Sequence, residues 1–450
     1  MAKKFDLVVM GTGSAGSIPA HKCREAGWEV AVIDELPYGG TCALRGCDPK
    51  KVLVGAAELA DWARRMKARG IVPDQLRIDW ANLMQFKSSF TEPVPKSRER
   101  SFTKKGIATY HGAARFLDKS RIQVGDDTLE ARQFVIASGA SPATLGIPGE
   151  ELLSTSTDFL GLEKLPKRIV FIGGGYISSE FAHVALRAGA SATILHRSDR
   201  PLRGFDPDLV NSLIKATKDL GIEVKLNSPV KAIEKRRNSF LVKSESEKGA
   251  FETEADLVVH GAGRVPNVDS LDLASAGIDA SKRGVIVNEH MRSVSNPAVY
   301  AAGDAAATEG PPLTPVASME GHVVAANLLK GDKRKADYTG VASVVFTIPP
   351  LAAVGLREDE AHDKKLRFRV QAGDSSDWYS SRRVGEEVSG YKVLIEEESG
   401  KILGAHLLGA HSEELINLFS LAIRFGIKAS DLKQMPYAYP SRSSDVSYMV

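Results

Sequence analysis

Leu7-Val8-Val9-Met10 is an unbroken apolar run, the pattern of a short strand buried on both faces. Gly11-Thr12-Gly13-Ser14-Ala15-Gly16 follows at once, and an amphipathic stretch then reaches Ala26 before Gly27 stops it. Val30 to Ile33 is a second apolar run, with Asp34 at its end. Strand, G-x-G-x-x-G, helix, strand and acid, in this order, make the dinucleotide-binding fingerprint. Gly11 and Gly13 let the backbone turn tightly and approach a pyrophosphate, while Gly16 lets the helix sit close to the strand. Ser14 and Ala15 open the helix, whose free N–H groups and dipole attract phosphate. Asp34 stands 23 positions after Gly11, where an acid can accept both hydroxyl protons of a ribose.

The pattern occurs twice. Ile169 to Ile172 is followed by Gly173-Gly174-Gly175-Tyr176-Ile177-Ser178, a helix through Leu186 and a strand from Ala192 to Leu195. Gly173 to His196 again spans 23 positions. Where the first copy has Asp34, the second has His196-Arg197, with Arg200 and Arg203 close behind. A carboxylate there would repel a 2′-phosphate, whereas guanidinium groups bind it bidentately. The second loop therefore favours NADPH over NADH, against the plainer reading of these arginines as a solvated face.

Composition narrows the class. A chain of 450 residues suggests about three domains. With 43% hydrophobic and 26% charged residues it is no disordered chain. Its 40 glycines show no Gly-X-Y period and belong to turns and ligand loops. Lys+Arg 59 against Asp+Glu 56 gives +3, which implies no nucleic-acid partner. The N-terminal residues place Asp6 before any apolar stretch, unlike a signal peptide. The longest uncharged stretch, Tyr338 to Leu356, carries Pro349-Pro350 and reads as strand and turn rather than a membrane span. A soluble, cytoplasmic protein is expected.

Three cysteines are too few for a secreted disulfide framework. Two of them lie in Gly39-Gly40-Thr41-Cys42-Ala43-Leu44-Arg45-Gly46-Cys47-Asp48-Pro49-Lys50-Lys51. Five residues of regular helix rise about 7.5 Å, beyond the roughly 4.4–6.8 Å between disulfide Cα atoms. If they pair, the segment is distorted, and Gly46 and Pro49 suit a distortion. A close pair beside a nucleotide loop in a cytosolic chain points to catalysis. A metal site lacks further ligands nearby, so no metal is assigned. Cys23, on the first fingerprint helix, reads as a buried core residue.

These residues resemble the flavoprotein disulfide reductases, a family that includes glutathione reductase, dihydrolipoamide dehydrogenase, trypanothione reductase and mercuric reductase. The segment at 39–51 looks most like glutathione reductases. Ala137-Ser138-Gly139, Gly263-Arg264-Val265-Pro266-Asn267, Tyr300-Ala301-Ala302-Gly303-Asp304, Thr314-Pro315-Val316-Ala317 and Phe346-Thr347-Ile348-Pro349-Pro350 carry the resemblance along nearly the whole chain. It implies an α/β chain with two Rossmann-like dinucleotide-binding domains, one for FAD and one for NADP, plus a C-terminal α+β dimerisation domain. The implied limits are 1–150 with 268–337 for FAD, 151–267 for NADP and 338–450 for the dimerisation domain.

The resemblance also implies roles. FAD would lie on the first loop, against Gly40, Thr41 and Ala113. Ser138, Gly139, Gly303, Asp304 and Thr314 would complete its site, with Asp304 on the ribityl chain. NADPH would lie on Gly173, Gly175 and Ile177, with Arg197 and Arg203 on its phosphate and Gly263 at the domain exit. Electrons would pass from NADPH through the flavin to a Cys42–Cys47 disulfide, with Cys47 beside the flavin and Cys42 as the interchange thiol. Lys50 falls three residues after Cys47 on one helix face, where its charge would stabilise a thiolate. Tyr176 and Glu180, four apart, share a helix face. The family uses them as a gate over the flavin and as a partner of that lysine.

One stretch departs from the family. Disulfide-reducing members carry His-Pro-Thr-x-x-Glu near the C-terminus, where the histidine of the partner subunit is the acid/base for the interchange thiol. Here the segment is Tyr439-Pro440-Ser441-Arg442-Ser443-Ser444-Asp445. A phenol of pKa near 10 donates hydrogen bonds but is a poor base at neutral pH, so Tyr439, as the catalytic candidate at this position, or water would handle the protons. The first reading is thus an NADPH-dependent, glutathione-reductase-like enzyme acting on a low-molecular-weight disulfide, as a homodimer with shared active sites. The alternative is a reductase of another small-molecule acceptor: a quinone, a metal ion or oxygen. A non-enzymatic flavoprotein is the third reading, disfavoured by two intact nucleotide loops.

Overall fold

The computed structural model describes residues 2–450 as two compact units. The first comprises the chain through Lys50, Phe86–Ala143 and Arg264–Tyr338. Its sheet is built on strand β1 (Lys3–Met10), which pairs in parallel with β2 (Val30–Asp34) on one side and Asp127–Ile136 on the other. Leu7 faces Val30, and Met10 faces both Ile33 and Ile136. Leu7, Val8 and Val9 are wholly buried, which is why this strand is apolar without alternation. Helix α1 (Ser14–Glu25) joins β1 to β2 and stops at Gly27, whose φ of 88° is left-handed. Strands Ala108–His111 and Val299–Ala301 extend the parallel part, and Ala114–Phe116 and Arg121–Val124 form its antiparallel edge.

Two helices follow β2: the short α2 (Gly40–Arg45) and the long α3 (Cys47–Arg65). Gly46 separates them at φ −141°, ψ −116°, and a Cβ there would lie 2.9 Å from the Thr41 carbonyl oxygen.

The second unit comprises Lys51–Gln85, Thr144–Gly263 and Thr339–Val450. It holds a second parallel sheet, in the order Glu223–Lys225, Ser191–Leu195, Arg168–Ile172, Leu257–His260. The helix Tyr176–Arg187 joins the two central strands of that sheet and is buried through Phe181, Ala182, Val184 and Ala185. Leu53, Val54 and Ala57 of α3 pack in the same core as Phe159, Phe171 and Phe181. The Lys235-Arg236-Arg237-Asn238 cluster turns between strands Val230–Lys235 and Phe240–Ser246.

The C-terminal part of this unit is a five-stranded antiparallel sheet. Gly390–Glu396 and Ile402–Leu408 form its central hairpin, and the helix Ser412–Phe425 covers it with Leu415, Ile416, Phe419 and Ala422. The chain is thus a mixed α/β protein with two Rossmann-like sheets and an antiparallel C-terminal sheet. No helix among the described residues is long and apolar enough to cross a membrane.

Candidate functional site

The first glycine loop is shaped for a ligand rather than for a side chain. Gly11 has φ 107°, and a Cβ on it would lie 2.1 Å from the Ala137 carbonyl oxygen. Gly40 has φ 75°, and its Cβ would lie 2.5 Å from Gly13 Cα, so the starts of α1 and α2 converge. No side chain caps α1 at Gly13, which leaves its first N–H groups to a phosphate. Ser138 Oγ is buried with no partner, a polar atom that the edge of a bound nucleotide would satisfy. Gly139 lies next to it at φ 72°. Ala113 sits between strands Ala108–His111 and Ala114–Phe116. These features fit FAD.

Asp34 does more in the structure than its position suggests. Its Oδ2 accepts from the Thr12 N–H at 2.8 Å and the Thr12 hydroxyl at 2.6 Å, and its Oδ1 accepts from the Leu36 N–H at 3.0 Å. A carboxylate has about four acceptor positions, so these three bonds occupy most of those of Asp34. At the other end of the cleft, burial pushes the Asp304 carboxyl up, against the charge of Arg264. Glu320, which sequence reasoning passed over, fixes the turn that presents Asp304. It accepts from Gly303 N–H at 2.7 Å, Thr308 Oγ1 at 2.9 Å and Tyr338 Oη at 2.8 Å. Its only signal is being the one carboxylate in the helix Thr314–Lys330.

The break at Gly46 turns α3 so that Cys47 meets Cys42, which continuous helix would forbid. Both are free, Cys42 Sγ donates to Asp48 Oδ1 at 3.8 Å, and a hydrogen bond joins the two sulfurs. Cys47 Sγ also lies 3.5 Å from Thr314 Oγ1, which makes Thr314 a neighbour of the dithiol. These two hydrogen bonds and the Lys50 charge hold the Cys47 thiol below its ordinary range, against burial. The bond to Cys47 and burial push Cys42 up. Of the two, Cys47 is the sulfur more readily ionised. Lys50 lies on the first turn of α3, its N–H bonded to the Gly46 carbonyl at 3.2 Å, and Thr41 is the second residue of α2.

In the second unit Gly173 has φ 103°, and a Cβ would lie 2.3 Å from the Gly261 carbonyl oxygen. Gly175 starts the helix Tyr176–Arg187 with no side-chain cap, and Ile177 packs partly buried on the core beneath. Ser178 Oγ and His196 Nδ1 are buried without partners. His196 Nε2 bonds the Arg200 carbonyl at 3.0 Å. Burial lowers the pKa of His196, and the Arg203 and Arg197 charges add to the effect, so the ring is neutral and the cations around it are the arginines. Both arginines are exposed, and Arg203 has only a loose contact with Asp199 at 3.5 Å. Exposed arginines thus stand beside a glycine loop whose helix start has no side-chain cap. Gly263 ends the unit at φ 118°.

Tyr176 is half-buried against Phe205, ring centroids 5.7 Å apart. Burial pushes its phenol up to about 12, opposed by a hydrogen bond with Ser343. Glu180 is wholly buried, and its Oε1 accepts from the Phe346 N–H at 2.9 Å. Tyr439 stands apart, 80% exposed on the C-terminal strap. Among the described residues no group of three or more His, Cys, Asp or Glu side chains is placed to hold a metal ion.

A family model described as pyridine nucleotide-disulphide oxidoreductase matches residues 5–321, and its dimerisation-domain counterpart matches residues 341–450. A mercuric reductase of Staphylococcus aureus is 32% identical over 433 residues, 95% of this chain and 78% of the relative. A glutathione reductase of Burkholderia cepacia is 30% identical over 441 residues, 98% of this chain and 97% of the relative. Among solved structures, the Cu(II) complex of the HOCl-induced flavoprotein disulfide reductase RclA from Escherichia coli superposes with a TM-score of 0.88 at 26% identity, covering 99% of each chain. The chain belongs to the pyridine nucleotide-disulphide oxidoreductase family and is an FAD- and NAD(P)H-dependent flavoprotein oxidoreductase.

Proposed function

We propose that this enzyme draws two electrons from NADPH, stores them on Cys42 and Cys47, and gives them to a thiophilic metal ion. FAD, when bound, supplies the two-electron link between nicotinamide and sulfur. Gly11, Gly40 and the open end of α1 hold its phosphates, and Asp34 and Asp304 take its hydroxyls. Arg197 and Arg203 select the phosphorylated nicotinamide nucleotide. Thr314 and Lys50 keep Cys47 ionised, and Cys42 is the outward thiol.

The observation that carries the choice of acceptor is the phenol at Tyr439. A disulfide acceptor releases a thiolate that must be protonated, and the family's histidine is missing. Oxidising the reduced pair by metal ions forms one S–S bond, releases the thiol proton that remains to solvent, and reduces two Cu(II) to Cu(I) or one Hg(II) to the metal. No group must deliver a proton. A relative named as a mercuric reductase and another solved as a Cu(II) complex support the same reading.

A low-molecular-weight disulfide is the second reading. It is favoured by the Leu44-Arg45-Gly46 centre between the cysteines and by the glutathione reductase relative. In a panel of Cu(II), Hg(II), glutathione disulfide and a quinone, NADPH oxidation with the metal ions should exceed that with the disulfide by on the order of a hundredfold, the low end of general acid/base catalysis. Faster turnover of the disulfide would reverse the assignment.

A further inference from the structure

Tyr439 projects from the strap that ends the chain, and very little holds the strap near it. The Tyr437 hydroxyl donates to the Leu432 carbonyl at 3.0 Å, and Ser441 Oγ donates to the Ala438 carbonyl at 2.5 Å. Three residues beyond Tyr439 the situation reverses. Arg442 plunges into the unit, its side chain 10% exposed. Its Nη1 donates to Ser380 Oγ at 2.9 Å, Ser381 Oγ at 2.7 Å and Asp445 Oδ2 at 3.3 Å, and its Nη2 donates to Ser389 Oγ. Ser380 also donates to Asp445.

This socket is rooted in the sheet. Ser389 Oγ pairs with Ser375 Oγ at 2.7 Å and donates to the Leu408 carbonyl at 3.2 Å. Gly409 makes the room: at φ 133°, a Cβ on it would lie 2.5 Å from Ser389 Oγ and 2.9 Å from Arg442 Nη2. A guanidinium is buried at high cost unless its donors and charge are met. Here three hydroxyls and one carboxylate meet most of them, while Nε stays unpartnered. A solvated surface turn has no need of such an arrangement. Asp445, one position off the family's glutamate, is committed to Arg442 and Ser380, so it is not the orienter of residue 439.

We infer that Arg442 is a positioning residue: it pins the strap to the sheet so that Tyr439 is presented, at fixed height, to the dithiol of a second copy of the chain. Three residues span at most about 10 Å, so the anchor limits where the phenol can travel. Misplacing a group by about 1 Å costs up to a hundredfold in rate. The inference rests on the proposed metal-acceptor reading and takes Tyr439 as a hydrogen-bond donor at that site, a role that asks no proton of it.

The test uses the FAD-loaded dimer in stopped flow, with NADPH reduction and Cu(II) reoxidation of the enzyme measured separately. Arg442→Met should slow reoxidation about tenfold and leave reduction by NADPH within twofold. Arg442→Lys, which cannot span three hydroxyls, should recover only part. In a Tyr439→Phe background Arg442→Met should add nothing further. Ser380→Ala with Ser381→Ala gives the same readout if Arg442→Met does not fold. If Tyr439→Phe slows reoxidation while the Arg442 and serine variants do not, or if the effects add, the positioning role is overturned. If Tyr439→Phe itself changes nothing, the reading of Tyr439 fails and the inference falls with it.

Discussion

Gly11–Gly16 and Gly173–Ser178 build the same cradle with different neighbours. Each opens on a left-handed glycine whose Cβ would strike a carbonyl oxygen, at 2.1 Å from Ala137 and 2.3 Å from Gly261. Each leads into a helix with no side-chain cap. They part at the end of the second strand. Asp34 is an acceptor already drawn into the protein by Thr12 and Leu36, while His196 is a neutral ring edged by arginines. In the proposed reading the backbone binds a diphosphate, and the strand end decides which nucleotide. The first copy spends most of its carboxylate on shaping its own loop, whereas the second leaves its cations to the ligand.

The largest effect should come from breaking the shared element. Gly11→Ala forces a Cβ against backbone at a φ of 107° and should yield protein without FAD, read from the visible absorbance of the purified chain. Retention of full flavin would show that the turn is not the cradle. Gly174→Ala tests the second loop in the same way, because its Cβ would lie 2.6 Å from Pro201 Cβ and 2.9 Å from His196 Cγ, ring atoms close to their own backbone.

Next comes the strand end. Neutralising Arg197 and Arg203 together should raise the KM for NADPH by about one to two orders of magnitude, as loss of charge-assisted phosphate contacts implies, and leave that for NADH nearly unchanged. Equal losses with both nucleotides would remove the basis for NADPH preference.

A smaller effect concerns the dithiol. With Cys47 held to about 6 by the Cys42 hydrogen bond, Thr314 and Lys50, reoxidation by an acceptor should fall as pH drops through that value and level off above it. Thr314→Val removes one hydrogen bond to the thiolate and should move the midpoint upward. An unmoved midpoint would mean Thr314 does not act on the sulfur.

What could be read ahead of the structure follows from sequence distance. Gly11 to Asp34 and Gly173 to His196 are local units whose spacing alone defines them. The Cys42–Cys47 pair was legible as unusual, but its geometry depends on the backbone at Gly46. Glu320 and Arg442 were not legible as site residues. Their partners lie 17 and up to 62 positions away, Gly303 for one and Ser380 for the other, and no local pattern announces a buried charge. Asp34 was recognised, but its bonds to Thr12 arise only once the loop has closed.

The central claim is that Cys42 and Cys47 form the store between nicotinamide and acceptor. Its most direct test is an anaerobic NADPH titration of the purified holoenzyme, with thiols counted by a chromogenic disulfide reagent. The first equivalent should generate two new thiols with the flavin absorbance largely kept, and only the second should bleach it. Cys47→Ser should bleach with the first equivalent. A native enzyme that bleaches at once and gains no thiols would contradict the account.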